Sequence, residues 1–184
     1  MFCRGVPLAA AVLLCACAKP YVQSAPGTPG APRLTRSYAV MEDGYRLPLS
    51  RWESAGNPQA VLLALHGLND YRRAFDNLGR YLAGRDISVV AYDQRGFGAT
   101  SGHGLWHGSQ RLSADLVTMT ALLRHEYPGI PLYLLGESMG GAVALAGPIR
   151  DWFPNQAIAE HPAFANARGM LKYLRYVCET PSDG

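Results

Sequence analysis

The sequence predicts an α/β protein, a mostly parallel sheet with helices on both faces. Apolar runs at residues 60–65, 87–92 and 132–135 are continuous, as in strands covered on both sides. Between them lie segments whose apolar residues recur at helical spacing, so strand and helix alternate. His66-Gly67, Asp93-Gln94-Arg95-Gly96 and Ser138 each stand directly after a run, at the strand ends where open α/β sheets place their ligands.

The chain of 184 residues opens on Met1-Phe2-Cys3-Arg4, short and basic, followed by an apolar stretch over residues 6–14 that is too short to span a bilayer. It reads as a secretory signal peptide. The junction Leu14-Cys15-Ala16-Cys17 resembles a bacterial lipobox, with Cys17 as the residue that receives lipid. Residues 1–17 are therefore expected to be a lipoprotein signal. By the same analogy Ala18 favours the outer membrane; simple cleavage to an exported soluble protein is the alternative. Of four cysteines, only Cys178 would then remain, so the mature chain carries no disulfide framework. Residues 18–36 are rich in Pro, Gly, Ala and Thr, with little to bury, and read as a tether.

The folded domain is placed at residues 37–146. Its first two extended runs, residues 37–41 and 45–52, flank Asp43-Gly44 as a hairpin, and Pro48 is expected to hold the second arm at a sheet edge. After the 60–65 strand, Phe75, Leu78, Tyr81 and Leu82 mark a helix that Gly84 closes. Leu112, Leu116, Met119 and Leu123 mark a second helix, stopped by Tyr127-Pro128-Gly129. His103 and His107, in the glycine-rich stretch 102–108, read as loop surface; His125 lies near a helix end, where its charge suits the dipole.

The apolar run ending in Gly136-Glu137-Ser138-Met139-Gly140-Gly141 carries the chemistry. Gly-x-Ser-x-Gly is the pattern of a sharp strand-to-helix turn that exposes a serine, with glycines where backbones must approach closely. The three fixed positions are weak by themselves. A strand immediately before the serine, and Gly140, Gly141, Ala142 and Ala144 after it, give them context: a helix pressed closely on a sheet. That helix would aim its free N–H groups at the site where acyl transfer develops an oxyanion.

Three ordered motifs, His66-Gly67, Asp93-x-Arg95-Gly96-x-Gly98-x-x-Ser101-Gly102 and the serine turn, together resemble the monoacylglycerol lipase and lysophospholipase branch of the α/β-hydrolases. The resemblance implies that Ser138 is the nucleophile and that the backbone N–H groups of Leu68 and Met139 form the oxyanion hole. Gly67, Gly136 and Gly140 support them. His66 is expected to fix the oxyanion loop instead of serving as the base, and Asp93 and Arg95 to brace their loop by a local ion pair or loop hydrogen bonds.

In that family an acid and a histidine follow the serine at the ends of later strands. Residues 147–184 carry no motif of that kind and read as a divergent tail, with one amphipathic helix bearing Leu171, Leu174, Val177 and Cys178. The chain thus resembles a C-terminally truncated or frame-altered copy whose serine strand lies at an open edge of the sheet. The function expected is a membrane-tethered serine ester hydrolase acting on monoacylglycerol- or lysophospholipid-like esters, with a lipid-like ester as its partner molecule. The alternatives are an inactive fragment and a peptidase of the same fold. No cofactor is expected, because metal-ligand spacings are absent. The net charge of +3 is mild and unclustered, which does not indicate a nucleic-acid groove.

Overall fold

The computed structural model describes residues 28–146, 157–158 and 173–177. Strands β1 (Arg33–Leu34), β2 (Tyr38–Val40), β3 (Arg46–Trp52) and β4 (Ala60–Leu65) lead to a short 3₁₀ turn (Arg72–Phe75) and helix α1 (Asp76–Ala83). Strand β5 (Ile87–Tyr92), helix α2 (Ser109–Glu126), strand β6 (Leu132–Glu137) and helix α3 (Met139–Ala146) follow, then strands β7 (Ala157–Ile158) and β8 (Tyr173–Val177). The described strands form one sheet in the order β1-β2-β3-β5-β4-β6-β8-β7.

At its centre β4 pairs in parallel with β5 on one side and β6 on the other. The chain moves outward from β4 to β5 and then crosses back over β4 to reach β6. That reversal makes the carboxyl end of β4 the topological switch point of the sheet.

Both faces of the three central strands are covered, which is why their sequences are apolar without alternation. Val61, Leu63 and Leu65 of β4 point to one face, where they meet Leu112, Leu116, Met119 and Leu123 of α2 and Val143 and Ala144 of α3. Leu62 and Ala64 point to the other, toward Phe75, Leu78 and Leu82. The two-residue period of the strand has divided one run between two cores. Each α2 leucine so buried stabilises the fold by about 1.5–3 kcal/mol. Tyr81, expected on the core side of α1, is 57% exposed and instead lies under the Arg85 guanidinium.

Three further expectations are corrected. Strand β3 is not an edge: its first part pairs with β2, and Leu49–Trp52 pairs antiparallel with β5. Pro48 stands where β3 passes from one partner to the other, and its carbonyl accepts from Asp93 N–H at 3.0 Å. The missing N–H therefore interrupts no ladder. The sheet also begins inside the expected tether, because β1 pairs with β2 and Gly30 N–H donates to Glu42 O at 2.9 Å. Finally, residues 173–177 form a strand and not a helix. They pair antiparallel with β6, Leu134 opposite Tyr176 and Glu137 opposite Tyr173, so β6 is not left open. An unpaired β6 would present a row of free N–H and C=O groups, and that demand outweighs the helical spacing of four apolar residues.

Candidate active site

Ser138 sits between the last residue of β6 and the first of α3, with φ of 46°. That left-handed conformation is strained for a residue with a Cβ, and it turns the chain sharply enough to leave Ser138 exposed at the end of the sheet. The flanking glycines are required by space. A Cβ on Gly136 would lie 2.5 Å from Gly141 N, and one on Gly140 would lie 2.4 Å from Leu65 O. Helix α3 is thus seated directly on the carboxyl ends of β6 and β4, and Ala142 N–H donates to Ser138 O at 3.0 Å to begin its first turn.

Register places the motifs side by side. Leu65 is opposite Gly136 on one side and Tyr92 on the other, so His66-Gly67, Glu137-Ser138 and Asp93 emerge together. A Cβ on Gly67 would stand 3.7 Å from the Glu137 side chain. That is ordinary contact, so space alone does not demand glycine there. Glu137 itself is buried, and burial, then the Asp70 charge, raise its pKa above the usual glutamate range.

Beyond β4 the chain turns over Gly67, Leu68, Asn69 and Asp70: Asp70 N–H reaches Gly67 O at 3.3 Å, and Asn69 takes φ of 59°. Leu68 lies at the exposed corner, its side chain 61% open. His66 is fully buried under it, ring edge to ring face with Phe97 at 5.7 Å. Its Nδ1 bonds Gly67 O at 2.8 Å, and its Nε2 accepts from Gln94 N–H at 3.0 Å. Both ring nitrogens are engaged, and burial holds the imidazole pKa down, toward the neutral form these partners require.

The loop after β5 meets the expectation in part: Asp93 braces it by a hydrogen bond from Ala99 N–H. Asp93 and Arg95 do not pair with each other, and each also holds a different element. The Asp93 carboxylate, fully buried, accepts from Arg72 N–H at 2.8 Å and Ala99 N–H at 2.7 Å and pairs with the Arg72 guanidinium. A Cβ on Gly98, where φ is +56°, would enter that carboxylate at 2.3 Å. Arg95 turns the other way. It meets Asp115 of α2 through Nε at 2.5 Å and Nη2 at 2.8 Å, meets Asp43 of the hairpin at 2.7 Å, and lies over the Tyr45 ring at 4.2 Å. Burial pushes Asp115 up to about 6 despite its partner. His107 is not surface: it is 2% exposed and packs edge-on against Tyr45 at 5.3 Å. His103 is exposed, as expected.

Arg72 and Asp115 were not singled out in the sequence, and Asp43 and Gln94 were named only as a turn residue and as part of a motif, without the pairings they make. Asp115 alone left a signal, a charge inside the stripe of Leu112, Leu116 and Met119 that faces the core. Cys17 lies outside the described residues, as do Asp151 and His161, the downstream groups nearest in kind to a triad acid and base.

A mixed sheet whose central strands β5, β4 and β6 are parallel, with a reversal at β4 and a strained serine turn at the neighbouring strand end, is the architecture of an α/β-hydrolase. The sequence profile described as "Serine aminopeptidase, S33" matches residues 56–174, and the chain belongs to that family. The human monoglyceride lipase is 34% identical over 59% of this chain and 36% of its own length. The monoacylglycerol lipase of Mycolicibacterium smegmatis is 24% identical over 56% of this chain and 37% of its own. A soluble variant of monoglyceride lipase from Saccharomyces cerevisiae, solved with a substrate analog, superposes with a TM-score of 0.51 at 26% identity, covering 65% of this chain and 39% of that one. A carboxyl esterase from Bacillus coagulans shares the fold with a TM-score of 0.53 at 20% identity, over 63% and 38%. The chain thus spans a little over a third of the length of each of these four relatives.

Proposed function

We propose that the chain supplies the nucleophile and oxyanion half of a serine ester hydrolase acting on monoacylglycerol- or lysophospholipid-like carboxylic esters. The observation that carries this is Ser138 in the left-handed turn, exposed at the carboxyl end of β6 beside the His66-Gly67-Leu68 loop. The relatives named as monoglyceride lipases support the ester class.

In this reading Ser138 Oγ forms a bond to the ester carbonyl carbon, and the carbonyl electron pair moves onto oxygen. Leu68 and Met139 N–H receive that oxyanion, and loss of one such donor removes about 3 kcal/mol of transition-state stabilisation. Collapse expels the alcohol, which takes up a proton, and leaves an acyl group on Ser138; water then releases the acid. The proton on Oγ must go to a base. His66 does not suit that role, because Gly67 O and Gln94 N–H occupy its two nitrogens. We assign the base to a segment outside the described residues, where the family order puts it.

Over hours, at the slow rate that an oxyanion hole without a base supports, a serine-reactive fluorophosphonate should label the protein on the peptide that contains Ser138, and Ser138→Ala should abolish labelling with an unchanged circular dichroism spectrum. Labelling at another serine would remove the assignment. Faster turnover of aminoacyl amides than of monoacylglycerol esters would favour a peptidase of the same fold. We further propose that Cys17 carries the lipid anchor: palmitate label should enter the exported protein, and Cys17→Ser should release it to the soluble fraction. Equal labelling of Cys17→Ser would move the anchor elsewhere.

A further inference from the structure

Gln94 occupies a position that the Asp93-x-Arg95-Gly96 motif leaves unspecified, yet it is completely buried. Its main-chain N–H donates to His66 Nε2 at 3.0 Å, and its side-chain Nε2 donates to His66 O at 2.8 Å. Both bonds run from the end of β5 to the end of β4. They grip His66 at ring and backbone together.

This grip propagates. A main-chain N–H can only donate, so His66 Nε2 accepts, and the one proton of the neutral ring sits on Nδ1. From there it is given to Gly67 O at 2.8 Å. Gly67 O and Leu68 N–H belong to one planar trans peptide and point in opposite directions. Whatever fixes the oxygen also fixes the direction of the N–H.

We infer that Gln94 is a positioning residue for the oxyanion donor: by clamping His66 it sets the orientation of the Gly67–Leu68 peptide and so aims the Leu68 N–H. The inference rests on the reading of Ser138 and Leu68 given above. A filling role alone would be met by Met or Leu of similar size. Instead the chain buries an amide whose Oε1 has no partner among the described residues, an unsatisfied acceptor that opposes folding. Such departures from local consistency concentrate at functional sites.

The test compares the parent chain with Gln94→Met and Gln94→Leu, both uncharged, both of similar size and both lacking the donor to His66 O. The probe is a fluorophosphonate, whose reaction forms the Oγ–P bond, expels fluoride and develops charge on the phosphoryl oxygen. The rate of the covalent step should fall between about 10- and 100-fold, while the reversible affinity for the probe and the thermal midpoint stay near the parent values. An unchanged covalent rate in either folded variant overturns the inference. Nitrogen NMR on the parent gives a second reading that needs no variant: the His66 proton should reside on Nδ1, and residence on Nε2 overturns the clamp. If Ser138→Ala labels as fast as the parent, the reading of Ser138 falls and this inference with it. If labelling depends on Ser138 but ignores Gln94, the inference alone is overturned.

Discussion

Ser138 and Glu137 are adjacent residues that both run against local stability. Ser138 holds a left-handed φ that glycine would adopt more easily. Glu137 is a carboxylate buried near the Asp70 charge, so its pKa in the folded chain lies above its unfolded value. The folded state therefore binds the Glu137 proton more tightly than the unfolded state does. The resulting stabilisation is complete below the ordinary glutamate value of 4.5 and is lost as pH rises through the raised one. Glu137→Gln removes this dependence. It should raise the melting temperature at pH 7 and leave it nearly unchanged at pH 4, as thermal melts at the two values would show. An equal difference at both would mean that the charge is not the cause.

At the scale of elements, Arg95 joins three pieces of chain: the hairpin turn through Asp43, helix α2 through Asp115, and the loop it belongs to. Removing it leaves Asp115 buried without its counter-charge, so Arg95→Ala should destabilise by roughly 3–5 kcal/mol in urea. Adding Asp115→Leu should recover a large part of that loss, because the stranded charge is removed as well. A double variant as unstable as the sum of the two singles would contradict this. The same scale shows where the sequence was legible. Strands β4, β5 and β6 and helix α2 could be read because two covered faces require unbroken apolar runs and one covered face requires a stripe. Pro48 misled because its edge-strand rule applies to a ladder, and β3 changes partner at that residue. His107 misled because glycine-rich loops are usually solvated, whereas this one closes over Tyr45. Residues 173–177 misled because their spacing fits a helix in isolation, and only the free side of β6 makes them a strand. The Asp93 and Arg95 pairings are long-range choices between equally charged partners, and nothing local specifies them.

For the molecule as a whole, the proposed function gives the described residues the nucleophile and oxyanion part of a serine hydrolase and leaves the base and acid to residues outside them. The described residues bring Ser138, the Leu68 and Met139 N–H groups and the clamped His66 to one end of the sheet. They bring no free histidine and acid to Ser138 with them. Without its base, such a site retains on the order of 10³-fold acceleration over water, while disabling a complete triad loses roughly a millionfold. The most direct measurement is therefore hydrolysis of a short-chain nitrophenyl ester by the 184-residue chain, beside the same chain extended by the downstream strands of a family member. We predict that the 184-residue chain stays barely above background, that the extended chain is faster by orders of magnitude, and that Ser138→Ala abolishes the gain. Activity of the extended chain that survives Ser138→Ala would contradict the central claim. Equal activity of the two chains, lost on His161→Ala, would show instead that the base is His161 and that the triad is already present.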